Sequence, residues 1–279
     1  MRVLVTGGSG LLGGHVVAKA MAMGSLVVAT HHTAPRDHLD ETLVVWRQLD
    51  IVDPDAVDAL IDEFRPDAII HTAYRQSGPL MWVTTAWGAA HVAWAAARHG
   101  ARLVHLSSDA LFDGRSGPYD EDAPPHPLTP YGAAKAAAEM AVAVAAPDAV
   151  IVRTSLIVRR DHPDQHSRMV LDIAAGKRSD ILFTDEYRCP IAVEDLADAV
   201  LELATLSYRG VLNVAGADAV SRHELGQLVA ARHGVDPAAL PQGTVAGLGL
   251  VRPTDVRLDC ARARGLLSTP LRGIREYLA

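Results

Sequence analysis

The sequence predicts an α/β protein with a doubly wound parallel sheet and a smaller C-terminal lobe, and three observations lead to this prediction. Short β-rich runs alternate with apolar-periodic helical runs from residue 2 to residue 153, the pattern of a parallel sheet with helices on both faces. A glycine-rich turn directly follows the first β-rich run. The alternation breaks after Thr154, so we expect a separate lobe to begin there.

The first strand, Arg2 to Thr6, leads through the glycine-rich turn into a helix that runs to about Met23. The turn has the pattern G-x-x-G-x-x-G, and from Gly8 it also matches G-x-G-x-x-G. Glycines allow a tight turn and a close approach to a pyrophosphate, whose charge the helix N-terminus stabilises. The sequence therefore predicts a Rossmann-type dinucleotide site that includes Gly7, Gly10, Leu11, Leu12 and Gly13.

The second strand, Leu26 to Thr30, does not end in an acidic residue. In NAD-binding versions of this unit, an acidic residue about 20 residues past the glycines binds the ribose hydroxyls. Here His31 and His32 occupy that place, so no carboxylate repels a 2′-phosphate. Arg36 could contact that phosphate together with the two histidines, or it could be a solvated loop residue. We expect NADP(H) to be favoured over NAD(H).

Two further strands end in residues that we expect near the cofactor. Val44 to Leu49 is the third strand, and Asp67 to His71 is the fourth. The third is followed by Asp50 and Ile51, which we expect at the adenine, and the fourth by Thr72, Ala73 and Tyr74, which we expect at the ribose. Arg75 comes next and either holds an anionic substrate or pairs with a surface carboxylate.

Two helices are predicted between these strands and the middle of the chain. Asp53 and Pro54 form a helix start, since the carboxylate can cap a free amide and proline suits the first helical position. Trp82 to Arg98 is rich in alanine and tryptophan. We expect this second helix to be buried on most sides, with its tryptophans in the core.

The central stretch combines a strand end with a helix start. Ser107 and Ser108 follow the apolar run Arg102 to Leu106, and Thr129 with Pro130 begins a helix. Tyr131 and Lys135 then lie four residues apart on one helical face. The lysine cation and the helix N-terminus both favour a phenolate, so we expect the pKa of Tyr131 to fall from about 10 towards the working pH. Tyr131 is the predicted general acid, and the Ser108 hydroxyl could bond a substrate carbonyl.

The second half of the chain predicts a smaller substrate-binding lobe. Helices are expected at Met169 to Ala175, Val193 to Ala204 and Ser221 to about His233, with a return strand at Gly210 to Val214. Residues 1–154 form the predicted dinucleotide-binding domain, to which 188–215 return. Residues 155–187 and 216–279 form the lobe, and the cleft between the two parts is the expected substrate site.

Composition narrows the class of protein. The 279-residue chain is 49% hydrophobic with a net charge of -7 and no basic run, which argues against a nucleic-acid surface. No apolar run reaches roughly 18 residues, and the first strand starts too early for a signal peptide. Two cysteines and scattered histidines give no metal-ligand spacing. We expect a cytoplasmic protein with a small-molecule substrate, no membrane contact and no metal.

These motifs together resemble the extended short-chain dehydrogenases/reductases, and within them the dTDP-4-dehydrorhamnose reductase group. The resemblance covers nearly the whole chain. It is carried by the glycine turn, the Tyr-x3-Lys pair and four further segments. Those segments are Ser107-Ser108-Asp109-Ala110-Leu111-Phe112-Asp113-Gly114, Pro118-Tyr119-Asp120-Glu121, Pro190-Ile191-Ala192-Val193-Glu194-Asp195-Leu196-Ala197, and Arg252-Pro253 with Leu258-Asp259.

The resemblance implies roles for particular residues. Tyr131 would be the catalytic acid, Lys135 would hold the nicotinamide ribose, and Ser108 would bond the carbonyl. Asp109 and Arg252 would lie at the substrate. The chain departs from the group at three places. Ala110 stands where a tyrosine is usual, Thr85 replaces an asparagine linked to proton relay, and the loop Leu156 to Gln165 lacks the group's usual Gly/Asn pattern.

Several functions fit this resemblance. The leading hypothesis is an NADP(H)-preferring ketoreductase acting on a nucleotide-linked 4-keto-deoxysugar or a similar small molecule. A 4-epimerase would use the same three residues. A 4,6-dehydratase is disfavoured because Asp109 is followed by Ala110, which cannot act as a base. A non-catalytic, cofactor-binding partner subunit is the alternative from another class, since the regulatory subunit of methionine adenosyltransferase resembles this group. A homodimer is possible.

Overall fold

The structure is a computed structural model that describes residues 1–34 and 44–279. Short turns of other helix types span Val83–Trp87 (π) and Asp109–Leu111 and Pro237–Ala239 (3-10). The α-helices are α1 (Leu11–Ala22), α2 (Pro54–Phe64), α3 (Gly88–His99), α4 (Pro130–Ala145), α5 (Gln165–Ala174), α6 (Val193–Thr205), α7 (Arg222–Arg232), α8 (Ala261–Leu266) and α9 (Ile274–Leu278). The strands are β1 (Arg2–Thr6), β2 (Leu26–His31), β3 (Val44–Gln48), β4 (Ala68–His71), β5 (Arg102–Leu106), β6 (Val150–Arg153), β7 (Ile157–Val158), β8 (Leu182–Phe183), β9 (Tyr187–Arg188), β10 (Ile191–Ala192), β11 (Gly210–Asn213), β12 (Val220–Ser221) and β13 (Gln242–Gly243).

The central sheet has seven parallel strands in the order β11-β6-β5-β4-β1-β2-β3. Strand β1 lies in the interior, where Val3 is in register with Ala68 of β4 and with Val27 of β2. The strand order reverses beside β1, and ligands bind at such a switch point, outside the carboxyl ends of the strands. The predicted doubly wound Rossmann sheet is confirmed.

Helix starts agree with the capping residues read from the sequence. The Asp53 carboxylate accepts hydrogen bonds from the amides of Asp55 and Ala56 at 3.0 and 3.1 Å. The Thr129 hydroxyl accepts one from the amide of Gly132 at 3.0 Å. A proline takes the next position in both helices. These caps satisfy amides that have no partner inside the helix, and so they fix where α2 and α4 begin.

Helices cover both faces of the sheet with apolar side chains. One core cluster joins the sheet to α1 and α6, and the other joins it to α2, α3 and α4. A third cluster, which includes Val158, Val170, Leu182 and Leu225, packs α5, α7 and α9 together. Strand β11 returns from this part of the chain to the central sheet, where it pairs with β6. The carboxyl ends of the central strands therefore face the C-terminal helices across a cleft.

The tryptophan-rich segment differs from the prediction. A π turn precedes α3, and Trp82, Trp87 and Trp94 are 42%, 59% and 60% exposed. The prediction that these tryptophans are core residues was wrong. The sheet and α4 approach α3 closely, so its inner face holds small side chains and leaves no room for indoles. That inner face carries Gly88, Ala89, Ala90, Val92, Ala93, Ala95 and Ala96.

The described part of the chain has neither a membrane-spanning helix nor a cluster of metal-binding side chains. In 1–34 and 44–279, no helix combines the length and apolarity that a bilayer crossing requires. The same residues hold no group of three or more His, Cys, Asp or Glu side chains placed to bind a metal ion. Both cysteines, Cys189 and Cys260, are buried free thiols.

Candidate active site

The glycine-rich turn closes tightly on itself at the end of β1. Gly7 has a positive φ of 72°, and its carbonyl accepts a hydrogen bond from the amide of Gly10 at 2.9 Å. A Cβ added at Gly13 would overlap that same carbonyl oxygen and lie 2.9 Å from the Cα of Gly8. Only glycine fits here, and the compact turn leaves the N-terminus of α1 facing the cleft.

A cavity of about 1080 Å³ runs from this turn along the carboxyl ends of the strands. Its size is at the upper end of ordinary ligand sites, roughly 300–1,000 Å³. Ser9 and Gly10 line one end, while His166, Arg188 and Arg252 line the other. A long ligand, or two ligands end to end, would fit this shape.

Ser108, Tyr131 and Lys135 line the middle of the cavity. The Lys135 Nζ atom donates a hydrogen bond to the Leu106 carbonyl at 2.8 Å, which anchors the ammonium at the end of β5. The Ser108 Oγ atom accepts from the amide of Ala110 at 3.2 Å. A serine hydroxyl, a phenol and an ammonium therefore meet in one pocket.

Close packing at Gly132 sets where the tyrosine stands. A Cβ at Gly132 would overlap the Ala110 carbonyl oxygen and lie 3.0 Å from the Pro127 side chain. The first turn of α4 therefore rests directly on the short turn that follows Ser108. This contact holds Tyr131 and Ser108 on the same wall.

The pKa of Tyr131 does not fall as predicted. Burial raises it well above its ordinary value, Tyr74 and Asp109 act in the same direction, and only the Ser108 hydroxyl opposes them. The prediction overlooked the cost of placing a phenolate in an apolar pocket beside a carboxylate. Tyr131 is therefore a neutral phenol that carries its proton at physiological pH, as a general acid must.

Lys135 is buried and its pKa is lowered to about 8 because burial disfavours the ammonium, while Glu139 partly offsets this effect. Glu139 lies one helical turn further along α4 and is itself buried. It pairs with Arg153, whose Nη2 and Nε atoms lie 2.9 and 3.1 Å from its carboxylate oxygens. The pair places a fixed negative charge near the ammonium.

Tyr74 covers Lys135 and Tyr131. Its ring centroid lies 5.9 Å from that of Tyr131, and the Lys135 Nζ atom lies 5.1 Å from the same centroid. Cations favour the face of an aromatic ring at this range. Burial raises the pKa of Tyr74, so it also stays protonated.

Asp109 belongs to a buried charge network at the far end of the cavity. Its carboxylate accepts a hydrogen bond from the Ser155 hydroxyl at 2.7 Å and lies 3.2 Å from Arg188. The Glu186 carboxylate bridges two arginines, since it lies 3.3 Å from the Arg188 guanidinium and 2.8 Å from that of Arg252. Paired charges keep this wall rigid and polar, and the arginines give it donors that suit an anionic or hydroxyl-rich ligand.

The structure brings together most of the residues predicted for the site. The following predicted residues line the cavity: Gly10, Leu11, Leu12, Gly13, Thr72, Tyr74, Ser108, Asp109, Tyr131, Lys135 and Arg252. Of the described residues, the following predicted ones lie outside its lining: Gly7, His31, His32, Asp50, Ile51, Ala73 and Arg75. Arg36 lies outside the described residues.

Ile51, predicted at the adenine, and Arg75, predicted at the substrate, make other contacts. Ile51 is buried and packs directly under Gly88, where an added Cβ would come within 2.6 Å of its side chain. It therefore fills the core beneath α3. Arg75 is exposed. Among residues 1–34 and 44–279, only its backbone makes hydrogen bonds, with the Thr85 hydroxyl at 2.8 and 3.1 Å.

Sequence reasoning missed four residues of the site. Gly132 and Glu139 lie beside Tyr131 and Lys135 on α4, so their spacing from those residues was an available signal. Arg188 lies in a two-residue strand, and His166 in the first turn of α5. Nothing in the local pattern of Arg188 or His166 indicates that it faces the same cavity as Tyr131.

The residues present fit a nicotinamide dinucleotide. The turn at Gly7 and Gly13 has no room for a Cβ, and the α1 N-terminus behind it suits a pyrophosphate. From that end the cavity continues to Lys135, whose ammonium suits the ribose hydroxyls. At the end of β2, His31 keeps a buried Nδ1 atom without a hydrogen-bond partner among the described residues.

Comparisons with known proteins agree with this geometry. A family model described as the RmlD substrate binding domain matches residues 1–279. The chain is 33% identical to the dTDP-4-dehydrorhamnose reductase of Mycobacterium tuberculosis, over 100% of this chain and 91% of that protein. It is 29% identical to Methionine adenosyltransferase 2 subunit beta of Xenopus laevis, over 99% of this chain and 87% of that one.

A solved structure gives a similar result. MoeE5 in complex with UDP-glucose and NAD superposes with a TM-score of 0.80 at 26% identity, covering 100% of this chain and 96% of that chain. The shared architecture thus extends over both the sheet and the C-terminal lobe.

Proposed function

Because the chain belongs to the RmlD substrate binding domain family, we propose that it reduces the carbonyl group of a nucleotide-linked 4-keto-deoxysugar, with NADPH as the preferred reductant. It is an oxidoreductase that uses a nicotinamide nucleotide. The observation that supports the reaction best is the meeting of Ser108, Tyr131 and Lys135 on one wall of a cavity that begins at the glycine turn.

In this reaction the protein's own residues bind the substrate and deliver a proton. A bound nicotinamide nucleotide supplies the hydride. Ser108 donates a hydrogen bond to the carbonyl oxygen and Tyr131 donates its proton to the same oxygen as negative charge develops there. Lys135 stabilises the phenolate that remains. The rigid Asp109 and Arg188 pair holds the sugar at a fixed distance from these groups.

The reaction is tested with NADPH and dTDP-4-dehydrorhamnose. We expect Tyr131→Phe to lower kcat by a factor of about 100 or more, because the proton donor is lost, with NADPH binding retained. Tyr187→Phe is the matched control, since this tyrosine is 40% exposed on β9 and outside the cavity lining. Undiminished turnover by Tyr131→Phe would rule out the assignment of Tyr131.

The preference for NADP(H) is supported by the end of β2, where Thr30 and His31 stand in place of an acidic residue. We expect His31→Asp to lower the ratio of NADPH affinity to NADH affinity by about tenfold or more, because the new carboxylate repels a 2′-phosphate and can accept from ribose hydroxyls. Fluorescence titration with both nucleotides measures this ratio. An unchanged ratio would count against the preference.

A non-catalytic subunit is the second candidate, favoured by the similarity to the methionine adenosyltransferase subunit. The complete set of Ser108, Tyr131 and Lys135 around an open cavity supports the enzyme instead. Absence of NADPH oxidation with dTDP-4-dehydrorhamnose, together with formation of a stable complex with a methionine adenosyltransferase, would favour the subunit.

We also propose that the chain forms a homodimer through the outer faces of α3 and α4. Both charged residues of α4, Lys135 and Glu139, are buried, so the outer surface of this helix is uncharged. Trp94 stands on the adjoining face of α3 and Trp87 directly precedes that helix, while Met140 and Val144 of α4 are 70% and 83% exposed. The uncharged surface of α4 offers nothing to select an oppositely charged partner, but it can pair with itself about a two-fold axis.

A further inference from the structure

His166 faces the same cavity as Ser108 and Tyr131, yet carbonyl reduction does not use it. It lies in the first turn of α5, where the Asp164 carboxylate accepts hydrogen bonds from the amides of His166 and Ser167 at 2.7 and 3.0 Å. The same carboxylate accepts from the Ser167 hydroxyl and the Arg159 amide, both at 2.9 Å. Four hydrogen bonds to one carboxylate fix the backbone that carries the imidazole.

The imidazole of His166 is free to exchange a proton. Within residues 1–34 and 44–279 its ring makes no hydrogen bond or ion pair. Burial lowers its pKa to about 4, and the charges of Arg222 and Arg188 act in the same direction, while that of Asp164 opposes them. The ring is therefore neutral at physiological pH, with a lone pair on an unused nitrogen. A pKa of about 4 makes a weak base, but a bound anionic substrate that offsets the charges of Arg188 and Arg222 would raise it towards the working pH.

A carbonyl group held by Ser108 and Tyr131 acidifies the hydrogens on the carbons next to it. Removing one of them yields an enolate, whose negative charge develops on the same oxygen that becomes negative during reduction. Hydrogen bonds placed for one oxyanion also stabilise the other. The cavity therefore already contains half of an enolisation site, and what it requires in addition is a base on another wall.

We propose that His166 is that base, and that the protein catalyses proton exchange at a carbon adjacent to the carbonyl of its keto-sugar substrate as well as reduction. The C–H electron pair forms the new C=C bond, the carbonyl π pair moves to oxygen, and the proton moves to the imidazole. Return of a solvent-derived proton from the imidazole to the same carbon restores the keto sugar and gives exchange. No oxidant or reductant is consumed.

This inference rests on the proposed function, because it requires a keto sugar at Ser108 and Tyr131. The test incubates the protein with NADP⁺ and dTDP-4-dehydrorhamnose in D₂O and follows deuterium entry at C3 and C5 by proton NMR. Reduction of the same sugar by NADPH is measured in parallel. We expect the wild type to exchange faster than the enzyme-free sugar, and we expect His166→Gln to lower the ratio of exchange rate to reduction rate by roughly 100-fold.

His162→Gln is the matched control, because His162 lies in the segment just before α5 but is exposed and outside the cavity lining. We expect it to keep the wild-type ratio. Reduction without exchange above the enzyme-free rate would overturn the inference and leave the reductase standing. Undiminished exchange by His166→Gln would overturn the assignment of the base. Failure of both reduction and exchange would overturn the proposed function and the inference with it.

Discussion

Lys135 is the residue whose protonation should limit activity at alkaline pH. Its pKa is lowered to about 8, whereas Tyr131 keeps its proton far above this range because burial raises its pKa. An ammonium is needed to stabilise the phenolate that forms when Tyr131 gives up its proton. The pH dependence of activity should therefore follow the charge of Lys135 and not the ionisation of Tyr131 before substrate binds.

We expect kcat/KM for reduction to fall as the pH rises above about 8, where Lys135 loses its charge. Lys135→Arg should move this fall to higher pH by more than one unit, because a guanidinium stays charged up to about pH 12, although its maximal rate should be lower. pH–rate profiles of both proteins measure the effect. An identical alkaline limb in the two would exclude Lys135 as its source.

Deprotonation of Lys135 does not destabilise the folded protein in this range. The pKa of Lys135 in the folded protein is about 8, below the value of about 10.4 in an unfolded chain. Between these two values the unfolded state binds more protons, so this residue makes the folded protein more stable as the pH rises. Circular dichroism across the same pH range separates loss of the Lys135 charge from unfolding.

Individual site residues differ in how far the sequence reveals them. Ser108, Tyr131 and Lys135 could be predicted to lie together because two follow from helical spacing and one from a strand end. The pKa of Tyr131 could not, since it depends on burial and on Asp109, which only the packed structure provides. The assigned roles of these residues remain predictions.

At the level of elements, the contact between α4 and the turn after Ser108 determines the alignment of the catalytic groups. Gly132 allows this contact because a larger residue would meet the Ala110 carbonyl. Backbone atoms on both sides cannot yield as a flexible side chain would. A methyl group here must push α4 away from the Ser108 turn.

We expect Gly132→Ala to lower kcat by about 100-fold, because a displacement of roughly 1 Å is enough to misalign reacting groups, with NADPH binding less affected. Gly265→Ala in α8 is the matched control. It has nothing within 4 Å of an added Cβ and should raise stability by up to about 1 kcal/mol. Steady-state kinetics and thermal unfolding of both variants measure these effects; wild-type kcat in Gly132→Ala would show that the contact is not needed.

Elements with strong local signals agreed best with the sequence. The capped starts of α2 and α4 and the apolar β1 could be predicted because neighbouring residues determine them. The tryptophan segment could not, because its burial depends on how closely α4 approaches α3. The strands of the C-terminal lobe, such as β8 and β13, have two residues each, too few to show any periodicity.

For the whole molecule, the uncharged face of α4 and the exposed tryptophans beside it are the surface on which the proposed dimer depends. We expect Trp87→Glu combined with Trp94→Glu to convert a dimer into a monomer, since two facing carboxylates in each subunit would be desolvated without partners. Sedimentation velocity at micromolar concentration measures the change. Trp46→Phe, away from both helices, is the control, and a wild type that sediments as a monomer would contradict the proposal.

The parallel direction of the central strands was predictable from the alternation of strands and helices, because parallel strands need crossover helices and those crossovers are right-handed. The division into residues 1–154 with 188–215, and 155–187 with 216–279, remains a prediction. Pairing of β11 with β6 supports the return of the chain to the first part. No local pattern indicates which edge of the sheet a late strand will join.

Strand β11 is synthesised well after its neighbour β6, and this delay affects how the protein folds during translation. Strand β6 ends at Arg153, and its neighbour β11 begins only at Gly210. While the ribosome is still synthesising the intervening residues, the nascent chain exposes an open hydrogen-bonding edge on β6. Translation speed through this stretch, or a chaperone that shields the edge, should therefore influence how much of the newly made protein escapes aggregation.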